Sequence, residues 1–126
     1  MPGNQIRIIP IYSSRGDAEA FLAFPYLFNR SGEWIGWVTP GREVYSVLGI
    51  YVGLLTNEPR IVRQRADTST RPRLKVPPYP GRLTTPANLP LAPMMSDLTG
   101  SLVDVLLEES ERLHTMDSGE FRSDLD

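Results

Sequence analysis

The chain has one histidine, His114, and no cysteine. Disulfides and thiolate metal sites are thereby excluded, and a transition-metal centre would have to rest mainly on carboxylates, a poor donor set for such ions. His114 follows the acidic stretch Glu108, Glu109 and Glu111 and reads as a helix-end histidine instead of a general base. Ser13 and Ser14 could offer hydroxyl nucleophiles, but they have no histidine partner nearby in the sequence, and Ser13-Ser14-Arg15-Gly16 is a turn-forming cluster. Asp17 and Glu33 each follow a glycine, which suggests a carboxylate pair for acid–base work. The third equivalent position is Ile50, so solvated charges at strand starts explain the two acids better. With no catalytic set, no metal site and no cofactor motif, the chain is expected not to be an enzyme.

The basic residues are the next candidates. Between residues 60 and 82 stand Arg60, Arg63, Arg65, Arg71, Arg73, Lys75 and Arg82, opposed only by Asp67. Between residues 83 and 126 acids dominate, so the net charge of −2 conceals a basic block followed by an acidic one. Arg60, Arg63, Arg65, Arg71 and Arg73 could contact anionic groups, whether lipid headgroups or nucleic acid. The run lacks interleaved aromatics for base stacking, so nucleic acid is not expected, and an anionic membrane is the alternative partner. Mutual screening of the two blocks is the plainer reading. Trp34, Trp37 and Tyr51 could line an apolar mouth, but in so small a domain they are expected in the core and its ring-closing contacts. Pro77-Pro78-Tyr79-Pro80 suits polyproline II, which a groove-bearing partner could read, but a spacer is the plainer expectation.

The elements that must position these residues come from an internal repeat. Three segments align without a gap: Ile11 to Leu22, Leu27 to Val38 and Val44 to Leu55. Each opens on an aliphatic residue and an aromatic one (Tyr12, Phe28, Tyr45). Glycine follows four residues later (Gly16, Gly32, Gly49), and a tiny residue four after that (Ala20, Gly36, Gly53). One unit therefore reads as strand, turn and strand, with the first glycine reversing the chain. The second lies inside a strand, where close approach of another backbone or a bend is the usual reason. Ile61 and Val62 begin a fourth unit, with Ala66 in place of the turn glycine. This last strand and the N-terminal run Ile6-Arg7-Ile8-Ile9 are expected to complete the ring between them, removing exposed sheet edges.

The spaced units, clearest at Trp34-Ile35-Gly36-Trp37 and Tyr51-Val52-Gly53-Leu54, resemble the bacterial four-fold β-flower domains. The resemblance covers roughly Ile6 to Arg65. It implies a mainly β fold, a small shallow barrel or ring of repeated hairpins, and carries no activity with it. The family is similar in shape to tubby-like lipid-binding barrels, a likeness of fold alone.

Beyond the repeats the composition changes. Nine of the 11 aromatics lie between Tyr12 and Tyr51, whereas seven of the 12 prolines lie between Pro72 and Pro93. The expected organisation is a β-hairpin repeat domain over 1–66, a mobile Pro-rich basic linker over 67–95 and an acidic amphipathic helix with a disordered tail over 96–126. Leu98, Leu102, Val105, Leu106 and Leu113 recur at three- and four-residue steps and form the face of that helix. Such a stripe must be covered by something, so a protein partner or self-association through this helix is expected. The function expected is a non-catalytic binding or assembly module; the alternative is a peripheral membrane or anionic lipid-headgroup binder. Met1 to Gln5 lacks the basic and apolar regions of a secretory signal, and no stretch could span a bilayer, so the cytoplasm is the expected location.

Overall fold

Each repeat folds as an antiparallel hairpin, and the hairpins stand side by side like petals. The computed structural model describes residues 7–67 and 71–116. Strands β1 (Ile9–Tyr12) and β2 (Ala18–Ala23) form the first petal, β3 (Tyr26–Asn29) and β4 (Trp34–Val38) the second, and β5 (Glu43–Ser46) and β6 (Tyr51–Leu55) the third. The fourth petal pairs β7 (Ile61–Gln64) with β8 (Leu102–Asp104). All eight strands form one antiparallel sheet in sequence order, followed by a short helix α1 (Val105–Glu108). The fold is therefore mainly β, a curled set of repeated hairpins with one C-terminal helix.

The petals share a turn because they share its chemistry. Ser13, Asn29 and Ser46 each accept a hydrogen bond from the glycine three residues on, at 2.9, 3.0 and 2.9 Å. Gly16, Gly32 and Gly49 all take positive φ, at +89, +83 and +78°, as a type I turn closing on a left-handed residue requires. The side chain of the first turn residue then caps the loop: Asn29 Oδ1 accepts from Ser31 and Glu33, and Ser46 Oγ from Leu48 and Ile50.

The centre of the ring takes one residue from each unit. Ile11, Leu27, Val44 and Ile61 occupy equivalent positions and are all fully buried. Burial of such a side chain contributes roughly 1.5–3 kcal/mol. The in-strand glycines allow the petals to approach. A Cβ on Gly53 would lie 2.5 Å from the Val62 carbonyl oxygen, and one on Gly36 the same distance from that of Tyr45. Each oxygen belongs to the next petal.

Three expectations need correction. The last strand does not close the ring with the N-terminal run: β7 pairs with β8, and β1 pairs only with β2. The fourth hairpin is split in sequence, since Arg65 N–H bonds the Ser101 carbonyl at 2.7 Å, so that β7 and β8 meet at a tip whose two sides are 36 positions apart. A turn forms at the end of β7, where Asp67 N–H bonds the Gln64 carbonyl at 3.2 Å, but it does not lead directly into β8.

The expected amphipathic helix is also not what forms. Leu102 lies on β8, Val105 and Leu106 on α1, and Leu113 caps a following 3-10 turn (Ser110–Arg112), while Leu98 precedes them all. The Asp104 side chain caps the start of α1, and Glu109 leaves helical geometry at φ −137° after a single turn. Val105 and Leu113 enter the barrel core, with Leu106 packed against it, so the apolar spacing reflects several backbone shapes facing one interior. Third, the Pro-rich segment does not behave as a spacer: it is bonded to the petals, as detailed below. Ile6 and residues 117–126, read as strand and as disordered tail, lie outside the described residues.

Candidate functional site

The Pro-rich segment crosses the petal tips as a strap, visiting them in the reverse of their sequence order. Leu74 N–H donates to the Gly49 carbonyl at 3.1 Å, and Leu83 N–H donates to the Gly32 carbonyl at 2.9 Å. Ala92 follows at Gly16, its methyl 3.7 Å from where a glycine Cβ would stand. These three strap residues are spaced nine apart, and Arg73-Leu74-Lys75, Arg82-Leu83-Thr84 and Leu91-Ala92-Pro93 form a degenerate repeat with Pro77 and Pro86 in register. One nonapeptide thus serves one petal. Val76 and Leu83 seal a second apolar cluster outside the barrel core, packing on Phe28, Trp34 and Val47.

The open side of the ring, between the first and fourth petals, is closed by a main-chain bond and a cluster of side chains in place of a strand ladder. Tyr12 N–H bonds the Pro59 carbonyl at 2.8 Å, and both the N–H and the hydroxyl of Ser14 donate to Asp104 Oδ2 at 2.6 Å. Arg60, only 2% exposed, donates to Ser14 Oγ at 2.9 Å, Glu58 Oε1 at 2.6 Å and the Ser96 carbonyl at 2.9 Å. One guanidinium therefore ties the first turn, the loop before β7 and the end of the strap, using the planar fork that distinguishes arginine from lysine. Its Nε is buried without a partner. Hydrogen bonds from the Ser96 backbone, then from the Ser96 hydroxyl and Arg60, hold the Glu58 carboxyl below the usual carboxylate range. Beside this latch lies a groove of about 540 Å³ bordered by Arg65, Thr99, Leu102 and Glu108.

The remaining sequence candidates are dispersed. Arg63 forks onto Glu109 at 2.9 and 2.7 Å, and this pairing is the main cause of a lowered Glu109 carboxyl. Arg65 reaches the Gly100 carbonyl at 3.1 Å and Glu108 at 3.7 Å, and Arg71 reaches Glu43 at 3.1 Å and covers the Tyr51 ring at 4.0 Å. Arg73 is exposed. Arg60, Arg63, Arg65 and Arg71 therefore serve the protein's own carboxylates and carbonyls, and Arg60 and Arg65 border the same groove. Trp34 is buried and bonds the Gly36 carbonyl at 2.6 Å, Trp37 stacks on Tyr45, and the Tyr45 and Tyr51 phenols are both raised above the ordinary value, chiefly by burial.

What the arrangement can do chemically follows from its donors and acceptors. Ser14 Oγ donates a hydrogen bond to Asp104 Oδ2 while accepting one from Arg60, which is the geometry of a structural latch. Ser13 Oγ accepts from Arg15 N–H within its own turn. His114 bonds the Thr115 carbonyl and borders a pocket with Glu111 and Arg112. Among the described residues no group of three or more His, Cys, Asp or Glu side chains could hold a metal ion, and no helix is long and apolar enough to cross a membrane. The serine latch and the strap escaped the sequence reading. The nine-residue strap repeat was the signal that could have found the second.

A family model described as a 4-fold beta flower protein matches residues 9–96. The match runs well past the hairpin repeats and takes in the strap, whereas the sequence resemblance had covered only the repeats. No curated protein and no solved structure matches the chain.

Proposed function

We propose that this chain, which belongs to the 4-fold β-flower family, is a non-catalytic binding and assembly module that associates through its strap. One observation carries the reading: Leu91 is 95% exposed and Met94 98% exposed, within a backbone held on both sides. The Tyr12 hydroxyl donates to the Pro90 carbonyl at 3.0 Å just before them, and Ser96 is bound by Glu58 and Arg60 just after.

Two apolar side chains pointing outward from an anchored segment are unlike scattered surface leucines. Each would gain about 1.5–3 kcal/mol on full burial. The anchors lower the ordering cost of binding, because the backbone is already in place. Val105 and Leu113, by contrast, are buried in the protein's own core with Leu106 packed against it, which favours the strap ridge as the assembly surface.

Light scattering over a concentration series tests this reading. The mass is expected to rise from monomer towards dimer, and Leu91→Asp with Met94→Asp should hold it at monomer with an unchanged Tm. A native chain that stays monomeric throughout, or a double variant that associates equally well, would remove the assembly role.

A further inference from the structure

We infer that the cleft between the first and second petals is a binding site for a planar aromatic ring. Between the second and third petals the corresponding groove is full. Trp34 stands in it, packed with Val47 and Val76, and its ring centroid lies 5.8 Å from that of Tyr79 on the strap. Between the first and second petals the backbone repeats and the side chains do not.

Ala18 pairs with Tyr12 as Trp34 pairs with Phe28 and Tyr51 with Tyr45. The repeat likewise puts Arg30 where the next petal has Val47, and the strap register puts Thr85 and Asn88 where the previous nonapeptide has Val76 and Tyr79. Three of these replacements trade an aromatic or aliphatic side chain for a smaller one, and Arg30 puts a charged side chain where the next petal has an aliphatic one. What remains is a cleft of about 420 Å³, lined by Ala18, Phe21, Arg30, Thr85, Pro86 and Leu89, with Asp17 at its rim.

The filled positions define the chemistry that fits. At one the protein places an indole against a tyrosine; at the other it places a phenol beneath the Arg71 guanidinium, 4.0 Å above the ring centroid. A ring entering the open cleft meets the buried Phe21, the aliphatic Leu89 and Pro86, and a guanidinium. The Arg30 side chain is 70% exposed and its carboxylate partner, Glu19, is 3.9 Å away, so it can swing over a ring as Arg71 does. Asp17 offers an acceptor for an indole N–H or a phenol O–H. The ligand class is therefore an indole or phenol ring, carried by a free aromatic compound or by a Trp or Tyr side chain of a peptide. This site does not depend on self-association through the strap ridge.

Methyl NMR of Ala18 and Leu89 in the full chain, titrated with indole, N-acetyl-tryptophanamide and N-acetyl-leucinamide, tests the inference. Saturable ring-current shifts are expected from the two aromatic probes at millimolar concentration and not from the leucine derivative. Tighter binding of the amide would point to a peptide side chain, and tighter binding of indole to a free aromatic. Ala18→Trp should abolish the shifts and raise the Tm by filling the cleft with its own ring. Arg30→Gln, on an exposed side chain, should keep the fold and weaken binding about 2- to 5-fold. No saturable shift in the native chain, equal response to the leucine probe, or full binding retained in Ala18→Trp would overturn the assignment.

Discussion

Leu83 and Gly32 meet backbone to backbone: the leucine N–H donates to the glycine carbonyl at 2.9 Å, and the leucine carbonyl oxygen fills the space a Cβ on Gly32 would need. Leu74 and Gly49 repeat the relationship one petal away. Each of these glycines answers two demands at once, a left-handed turn and the close passage of the strap.

Gly16 answers only the first demand, and this difference can be measured. Gly32→Ala and Gly49→Ala are expected to cost about 2–4 kcal/mol, from left-handed strain together with overpacking against the strap. Gly16→Ala meets only the Ala92 methyl at 3.7 Å and should cost about 1–2 kcal/mol from the backbone alone. Urea unfolding of the three variants checks the order. Equal losses at all three sites would mean that the strap does not press on the second and third tips.

Arg60 should be the most sensitive polar residue. Its removal leaves Ser14, Glu58 and the Ser96 carbonyl without their common donor, and Asp104 is 1% exposed behind Ser14. Arg60→Ala is expected to destabilise by about 3–5 kcal/mol, as losses from buried ionic networks do. Arg60→Lys should recover little, because an ammonium cannot fork to three acceptors. Thermal melts of the two variants decide this, and a native-like Tm for Arg60→Lys would show that charge alone closes the seam.

Acid should loosen the fold through Glu58 and Glu109. Hydrogen bonds from Ser96 lower the first, and the Arg63 fork lowers the second, both from an ordinary value of 4.5. A carboxyl whose folded value is depressed stabilises the fold above its unfolded value and loses that contribution as pH falls through the folded one. Stability should therefore fall below about pH 4.5. Glu109→Gln should remove part of that acid dependence. Urea midpoints measured from neutral pH downward provide the check; an identical acid slope in Glu109→Gln would rule out the Arg63 pair as a source.

The hairpins were legible in the sequence because each petal uses the same backbone positions for the same reasons. Ile11, Leu27 and Val44 face the axis, and Gly16, Gly32 and Gly49 reverse the chain, so the period survives in the letters. The fourth petal was not legible, since β8 is three residues long and lies some 40 positions beyond its partner Val62. Leu102, Val105, Leu106 and Leu113 have helical spacing but lie on a strand, a single helical turn and a cap, and only the last three meet the core. The strap hid for a different reason. It docks through main-chain N–H groups at Leu74 and Leu83, and main-chain bonding leaves little mark on composition when prolines surround it. Ser14 gave no sign because its partners, Asp104 and Arg60, are distant in sequence.

Native-state hydrogen exchange at Leu74 and Leu83 tests most directly whether strap and petals form one folded unit. Both amides should be protected to the same degree as ladder amides in β3 to β6, because freeing them requires the strap to lift from Gly49 and Gly32. Gly32→Ala should selectively speed exchange at Leu83. Exchange of both amides at the rate of an unstructured peptide, while the strand amides remain protected, would contradict a docked strap and return the Pro-rich segment to the role of a free linker.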